Sequence, residues 1–173
     1  MQAEDHNPGT FNAFRYGGFA DGLFSLLGDL AKGFVPVYLY LASTDQLLIP
    51  GFALVMAAPV IGHAFPVFYS FKGGKGIAAT FGVLLAVWFG HVSAWPVWTL
   101  AVLFLLFKLI ISISPDYYLT AFVFAFLAIC VWFEPVNSIV DCGILLISLT
   151  AFARLLLSGE KRTRLEVHFL WKH

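Results

Sequence analysis

Long apolar runs separated by short polar connections are the feature that most limits how this chain can fold. Hydrophobic residues make up 60% of the 173-residue sequence and charged residues 12%, against roughly 25% charged residues in an average soluble domain. Open strand edges in lipid would leave backbone groups without hydrogen bonds, so apolar spans of this kind form helices. The sequence therefore predicts an all-α, polytopic transmembrane helical bundle, with residues 1–173 in a single domain.

The apolar runs predict about six membrane spans, since a helix needs roughly 20 residues to cross the hydrocarbon core. Residues 1–18 precede the first span and carry several polar side chains, and residues 158–173 form a tail after the last span. The expected spans cover residues 19–42, 47–69, 76–94, 96–113, 117–134 and 137–157.

Basic residues predict the orientation of these spans. With residues 1–18 inside, the inner segments hold the lysines and arginines, and the outer connections hold none. The inner residues are Arg15, Lys72, Lys75, Lys161, Arg162, Arg164 and Lys172, with Lys108 and Arg154 toward inner helix ends. The positive-inside rule then predicts that both termini lie in the cytoplasm, and the expected location of this multi-pass protein is the plasma membrane.

Two charged residues, Asp29 and Lys32, interrupt the first apolar run. Side chains three residues apart share a helix face, which predicts an ion pair. Such a pair would fix helix packing, although charges inside a membrane are costly and often functional, so both roles stay open. His63 lies late in the next run, where a packed histidine bonded to a neighbour is the expected state.

The stretch FKGGKG, residues 71–76, places two lysines and three glycines between apolar runs. Glycine lets backbone N–H groups approach an anion, and the N-terminus of the following helix adds partial positive charge. With the full charge of Lys75, this predicts a phosphate cradle at Gly73, Gly74 and Gly76. A glycine-rich turn with orientation-setting lysines is the alternative. An ATP-binding P-loop is excluded, because that motif needs a hydroxyl directly after its lysine.

The segment DHNPGTFNAFR, residues 5–15, offers further anion-binding groups on the same predicted side. Arg15 carries a planar guanidinium that binds phosphate or carboxylate through two hydrogen bonds. Asn7, Gly9 and Asn12 add amide groups and a Pro-Gly turn. A helix cap with an orientation-setting arginine would explain the same residues.

The connection SISPDYY, residues 112–118, adds hydroxyl groups on that side. Ser112 and Ser114 would donate hydrogen bonds to a bound anion, whereas a hydroxyl near a helix end caps the helix at least as often. Ser112 is kept as a candidate catalytic residue. Neither Cys130 nor Cys142 belongs to a paired metal or redox motif, so no metal site or disulfide is expected.

Three stretches together resemble a known family: NPGTFNAFR, GDLAKGFVPV and GHAFPVFYSFKGGKGIAATFG. They are similar in order and spacing to the motifs NPGATNxxR, LDxxKGxxPV and GHxFPxFxxFxGGKGxAT of the bacterial acyl-phosphate-dependent glycerol-3-phosphate acyltransferases. The resemblance covers residues 5–82, and extends loosely to SISP and to an RLL-like segment near Arg154. It implies a membrane enzyme of phospholipid biosynthesis that transfers an acyl group from acyl phosphate to glycerol 3-phosphate, giving lysophosphatidic acid and phosphate.

The resemblance also implies roles for the candidate residues. Lys75 and its flanking glycines match the family's loop for acyl phosphate, while Asn7, Asn12 and Arg15 match its first motif and would orient glycerol 3-phosphate. Lys75, Arg15 and Ser112 are the expected catalytic residues, acting by positioning and charge stabilisation. The expected partners are these two substrates and membrane lipids, with no cofactor and no nucleic acid.

The chain departs from the family pattern at three places. Asp5 and His6 stand where the family has serine and glycine, and Ser148, Thr150 and Ala151 fall where the third motif has histidine, glutamate and asparagine. The family's first apolar helix is also expected to be missing, since only four residues precede Asp5. The alternative function is therefore a weakened homologue that binds phosphorylated lipid or acts as a membrane scaffold. A small transporter is less favoured, because the polar residues gather at one face.

Overall fold

The computed structural model describes residues 9–43, 49, 51–158 and 164–167, and these ranges are mostly helical. A helical turn α1, Thr10–Asn12, continues as a π turn over Ala13–Gly17. The longer helices are α2 (Phe19–Ser43), α3 (Gly51–Ala64), α4 (Ile77–Phe89), α5 (Trp95–Leu105, extended by a π turn over Leu106–Ile110), α6 (Asp116–Phe133) and α7 (Ser138–Leu157). A 3₁₀ turn, Val67–Tyr69, lies between α3 and α4. The predicted all-α bundle is confirmed.

All six predicted apolar spans contain a helix, but they differ in length. Within the described ranges, four segments are long and apolar enough to cross a membrane: α2, Gly51–Tyr69, α6 and α7. The helix α4 has 13 residues, which gives about 20 Å against a hydrocarbon core of about 30 Å. It is shorter than the predicted span 76–94 because it starts only after the glycine loop and ends at Gly90.

Two glycines bring the backbones of α2 and α4 into contact. A Cβ atom at Gly33 would overlap the carbonyl oxygen of Ala79, and one at Gly82 would overlap the carbonyl oxygen of Leu30. Glycine is required at both positions because the obstacle is backbone, which cannot rotate away as a side chain does. Small residues at contacts of this kind are how helices associate closely in lipid, where burial of apolar surface adds little.

The same two helices run parallel. Gly33 lies against Ala79 near the start of α4, whereas Gly90 at its end lies against Leu41, near the end of α2. Asp29, one helical turn before Gly33, is therefore level with the N-terminal end of α4. This alignment brings Asp29 of α2 to the level of the glycine loop that precedes α4.

The apolar core lies among α3, α4, α6 and α7. At Gly143, α7 packs directly on the side chain of Met56 from α3. The largest fully buried side chains include Phe52, Met56, Leu84, Leu119, Phe124, Leu127, Ile144 and Ile147. Many other large apolar side chains are exposed, as expected for helices that face lipid.

Part of the tail after α7 pairs with the connection before α6. A two-residue strand β1, Ile113–Ser114, pairs antiparallel with β2, Glu166–Val167. Residues 164–167 therefore lie beside the connection that carries Ser112. The structure thus places part of the tail and this connection at the same end of the bundle, as the predicted topology requires.

The glycine contact between α2 and α4 predicts a specific loss of stability. Gly82→Ala should lower the melting temperature in detergent, because overpacking a close contact costs about 1–3 kcal/mol. Gly28→Ala is the matched control: it also lies in a helix, but its added methyl group would meet no atom within 4 Å. At position 28, alanine should leave the free energy of unfolding unchanged or raise it by about 0.5–1 kcal/mol. Equal melting temperatures for the two variants would contradict the close contact.

Candidate active site

A cavity of about 490 Å³ lies between α2 and α4 and reaches α1, α3, α5 and α6. Its polar wall comprises Gly9, Thr10, Asn12, Asp29, His63, Lys75, Gly76, Asp116 and Thr120. Its apolar wall comprises Phe14, Leu26, Leu30, Ile77, Ala78, Phe81, Leu85, Phe104 and Leu119. Ile77, Phe81 and Leu85 share one face of α4 over about 12 Å. The cavity is therefore polar around the start of α4 and apolar along the length of that helix.

Gly73 and Gly74 pack against the end of α3. The N–H of Gly73 donates to the carbonyl of Ala64 at 3.1 Å, and the N–H of Gly74 donates to the carbonyl of His63 at 3.2 Å. A Cβ atom at either glycine would overlap atoms of His63. These two amides therefore donate within the protein. The two glycines allow the loop to lie directly on α3.

Arg154 of α7 fixes the same loop from another side. Its Nε and Nη2 atoms both donate to the carbonyl oxygen of Gly73, at 3.0 and 2.9 Å. The residue is only 8% exposed, so its charge is buried beside this carbonyl. The sequence predicted Arg154 as a cation near an inner helix end. The structure adds that it holds the backbone two residues before Lys75.

Lys75 and Gly76 line the cavity, as do Ile77 and Ala78 at the start of α4. Gly76 has a φ of 85°, in the left-handed region that glycine favours. The first N–H groups of a helix have no partner within the helix and attract anions. Of the FKGGKG stretch, Lys75 and Gly76 thus face the cavity together with the N-terminus of α4, whereas Gly73 and Gly74 are absent from its described lining.

The first predicted segment is only partly at the cavity. Gly9 and Asn12 line it, and Asn7 falls outside the described residues. Arg15 is exposed and lies over the ring of Tyr16, with Cζ 5.6 Å from the ring centroid. Among the described residues that line the cavity, Arg15 does not occur. The structure thus joins part of this segment to Lys75 and leaves the guanidinium outside the cavity wall.

The first turns of α6 line the cavity, whereas the serine expected from the preceding connection does not. Ser112 is half-buried and has a φ of 45°, and it is absent from the described cavity lining, which includes Asp116 and Thr120 instead. Lys108 Nζ donates to Asp116 Oδ1 at 2.6 Å. This ion pair offsets the carboxylate charge of Asp116 at the cavity wall.

Asp29 is the centre of a polar cluster on the cavity wall and is 6% exposed. Its Oδ1 atom accepts from Lys32 Nζ at 2.7 Å and from His63 Nδ1 at 3.2 Å. Its Oδ2 atom accepts from the hydroxyl of Thr10 at 3.0 Å. The predicted Asp29–Lys32 pair is confirmed, and His63 is a bonded histidine, as expected. The participation of Thr10 was missed, because no spacing links it to the other three residues.

Ser148 and Thr150 occupy the region of the family's third motif. The hydroxyl of Ser148 donates to the carbonyl of Ile144 at 2.9 Å, and that of Thr150 donates to the carbonyl of Leu146 at 2.8 Å. Both bonds stay within α7. Arg154 is thus the polar side chain through which this helix reaches the glycine loop.

Comparison with known proteins gives a family match. A family model described as "Glycerol-3-phosphate acyltransferase" matches residues 1–164. The chain is 42% identical over 102 residues to the glycerol-3-phosphate acyltransferase of Methylococcus capsulatus, covering 59% of this chain and 48% of that one. For the Actinobacillus pleuropneumoniae serotype 5b protein of the same name, identity is 43% over 102 residues, with 59% and 50% covered. The chain thus spans about half the length of the curated relatives it matches.

The fold is similar to solved structures of PlsY (YgiH), an integral membrane glycerol 3-phosphate acyltransferase. Its glycerol 3-phosphate form gives a TM-score of 0.71 at 24% identity, covering 92% of this chain and 79% of that one. Its lysophosphatidic acid form gives the same TM-score and identity, with 81% of that chain covered. The likeness supports the polytopic helical fold described above.

The contact between Arg154 and Gly73 predicts a loss of stability on substitution. Arg154→Met removes both donors and leaves the carbonyl of Gly73 without them, which costs about 1–3 kcal/mol for a buried polar group. The melting temperature in detergent should fall accordingly. Arg164→Met is the control, because Arg164 is exposed. If both variants have the same melting temperature as the wild type, Arg154 does not hold the loop.

Proposed function

Since the chain belongs to the glycerol-3-phosphate acyltransferase family, we propose that it transfers a fatty acyl group from acyl phosphate to glycerol 3-phosphate. One observation carries this proposal: a single cavity joins Lys75 and the start of α4 to an apolar face between α2 and α4. The donor has the same two parts, an anionic phosphate attached to a long apolar chain. The products would be lysophosphatidic acid and phosphate, as in the first acylation of phospholipid synthesis.

The lining suggests how the donor binds. Its phosphate would lie at the N-terminus of α4, where the helix dipole and the Lys75 ammonium both favour negative charge. Its acyl chain would extend along Ile77, Phe81 and Leu85, which lie in order along the same helix face. Leu26 and Leu30 of α2 face the same space. The reactive acyl carbon then lies at the boundary between the polar and apolar walls.

The acceptor would approach from the first segment. Asn12 lines the cavity there, and we assign Arg15 to the phosphate of glycerol 3-phosphate because its exposed guanidinium is available for two parallel hydrogen bonds. Asn7 and Gly9 belong to the same acceptor-binding segment. Ser112 stays a predicted catalytic residue on the neighbouring connection, four residues before the cavity-lining Asp116.

In the reaction, a hydroxyl oxygen of glycerol 3-phosphate attacks the acyl carbon. A new carbon–oxygen ester bond forms, the bond from the acyl carbon to the phosphate oxygen breaks, and orthophosphate leaves with the hydroxyl proton. Lys75 and the N-terminus of α4 would stabilise the charge that develops on this leaving group. The chemistry needs no nucleophilic side chain, because acyl phosphate is already activated.

We place the polar end of the cavity at the cytoplasmic face of the plasma membrane. Lys72 and Lys75 lie in the loop before α4, and Lys108 lies at the end of the α5 segment, on the side that the positive-inside rule assigns to the cytoplasm. Both termini belong to the same side in this topology. Glycerol 3-phosphate would thus reach the site from the cytoplasm, while the acyl chain stays at the level of the lipid.

A second candidate function is binding of phosphorylated lipid without turnover. It is favoured by Ser148 and Thr150, whose hydroxyls are both bonded within α7 where the family has its third motif. The cavity would then hold an amphiphilic phosphate through the same groups. Formation of lysophosphatidic acid from acyl phosphate would distinguish acyl transfer from binding alone.

An acyl-transfer assay tests the proposal directly. Purified protein receives palmitoyl phosphate and labelled glycerol 3-phosphate, and labelled lysophosphatidic acid is measured. Lys75→Ala should lower kcat/KM by about 100-fold or more, since loss of one donor to developing charge costs roughly that much. Arg15→Ala should chiefly raise KM for glycerol 3-phosphate.

The control is Lys72→Ala, because Lys72 lies in the same loop but is exposed. This variant should keep its activity within about twofold, as solvated surface charges contribute little. No lysophosphatidic acid from folded wild-type protein would refute acyl transfer. Equal losses in Lys72→Ala and Lys75→Ala would refute the assignment of the donor phosphate to Lys75.

A further inference from the structure

His63 is a buried cavity residue to which the proposed reaction gives no role. Its side chain is 8% exposed, and it lies in the last turn of α3. Its Nδ1 atom is 3.2 Å from Asp29 Oδ1. A histidine bonded to a buried carboxylate is a common arrangement for a general base or for a residue that positions its neighbours.

The contacts of the imidazole bear on these two roles. Its Nδ1 atom lies 3.2 Å from Asp29 Oδ1, which accepts, and 3.4 Å from Lys32 Nζ, which donates, while Nε2 is at the other side of the ring. That Nε2 atom faces Gly74, where an added Cβ would overlap it. The ring therefore packs on the backbone of the loop that carries Lys75, and this contact favours a positioning role.

His63 contacts Gly74 in two ways. Its ring lies against the α-carbon of the glycine, and its carbonyl oxygen accepts the Gly74 N–H at 3.2 Å. Lys75 is the next residue and lines the cavity. A rotation of the imidazole would therefore displace the backbone that carries the Lys75 ammonium.

Asp29 connects this arrangement to the acceptor side. While Oδ1 accepts from His63, Oδ2 accepts from the hydroxyl of Thr10 at 3.0 Å. Thr10 lies in α1 with Asn12, and both line the cavity. One buried carboxylate on α2 thus bonds to the segment proposed for glycerol 3-phosphate and to the histidine that packs on the acyl-phosphate loop.

We propose that Asp29 and His63 are positioning residues that hold the two substrate-binding segments in register. Asp29 orients the ring of His63, and this ring fixes the position of the Gly74 backbone and thereby of Lys75. The same carboxylate fixes the position of Thr10. This inference rests on the proposed function, because acyl transfer assigns one substrate to each segment. The same contacts would also position the groups that bind an amphiphilic phosphate without turnover.

A double-mutant cycle between His63 and Gly74 tests the proposal. His63→Asn keeps a donor for Asp29 but vacates the space of Nε2, whereas Gly74→Ala forces a methyl group into an occupied space. Each single variant should raise KM for palmitoyl phosphate about tenfold or more, because displacement of a positioned group by ~1 Å costs up to about 100-fold. The double variant should recover toward wild type, since the methyl group then fills the vacated space.

Asp29→Asn extends the test to both substrates. It should raise KM for palmitoyl phosphate and for glycerol 3-phosphate, because one carboxylate serves both segments. His91→Asn is the control, since His91 is exposed beyond the other end of α4, and it should leave both KM values unchanged. Melting temperatures in detergent are measured for every variant.

Three results would overturn the positioning role. Additive losses in the double variant would show that His63 and Gly74 do not act through contact. Lower kcat with unchanged KM and a lower melting temperature would mean that His63 only supports folding. Lower kcat with unchanged KM, an unchanged melting temperature and a lost limb of the pH–rate profile would make His63 a general base.

Calorimetric binding of dodecyl phosphate separates this inference from the proposed function. If wild-type protein binds dodecyl phosphate but forms no lysophosphatidic acid from palmitoyl phosphate, acyl transfer is refuted, and weaker binding by the single variants with recovery in the double variant still supports positioning. Additive weakening, or no weakening, would overturn positioning alone. If wild-type protein neither binds dodecyl phosphate nor converts palmitoyl phosphate, both proposals are refuted.

Discussion

The backbone contact between α2 and α4 is the constraint on which the rest of the site depends. Gly33 and Gly82 allow the two parallel helices to approach until each glycine meets a carbonyl oxygen of the other helix. That alignment puts Asp29 level with the start of α4 and leaves an apolar space lined by residues of both helices. Larger side chains at these glycines would separate the helices, and the carboxylate would then no longer reach the histidine beside the loop.

Two buried charges then fix the loop that carries Lys75. Burial of a charge is costly unless hydrogen bonds replace its hydration, and each of the two charges has at least one partner from a distant segment. Arg154 donates twice to the carbonyl of Gly73, and Asp29 accepts from Lys32, His63 and Thr10. The loop is thus held by contacts with α3 and α7, which is the arrangement that the proposed placement of a cation and a helix N-terminus around a phosphate requires.

The sequence predicts those parts of this structure that depend on local physics. Apolar runs predict helices because lipid leaves the backbone no other partner, and the three-residue spacing of Asp29 and Lys32 predicts their ion pair. Arg154 and Gly73 are 81 residues apart, and no periodicity links them or joins Thr10 to Asp29. The glycines of FKGGKG also have two explanations, since approach to an anion and packing against α3 both require bare backbone. The contact of Gly73 and Gly74 with the end of α3 becomes visible only in the three-dimensional structure.

The most direct measurement is an experimental structure of the protein with bound dodecyl phosphate. The predicted result has phosphate oxygens within about 3 Å of the Lys75 ammonium and of backbone amides at the start of α4. The alkyl chain should lie along Phe81 and Leu85, between α4 and α2. A phosphate bound away from Lys75, with the chain outside this cavity, would contradict the account.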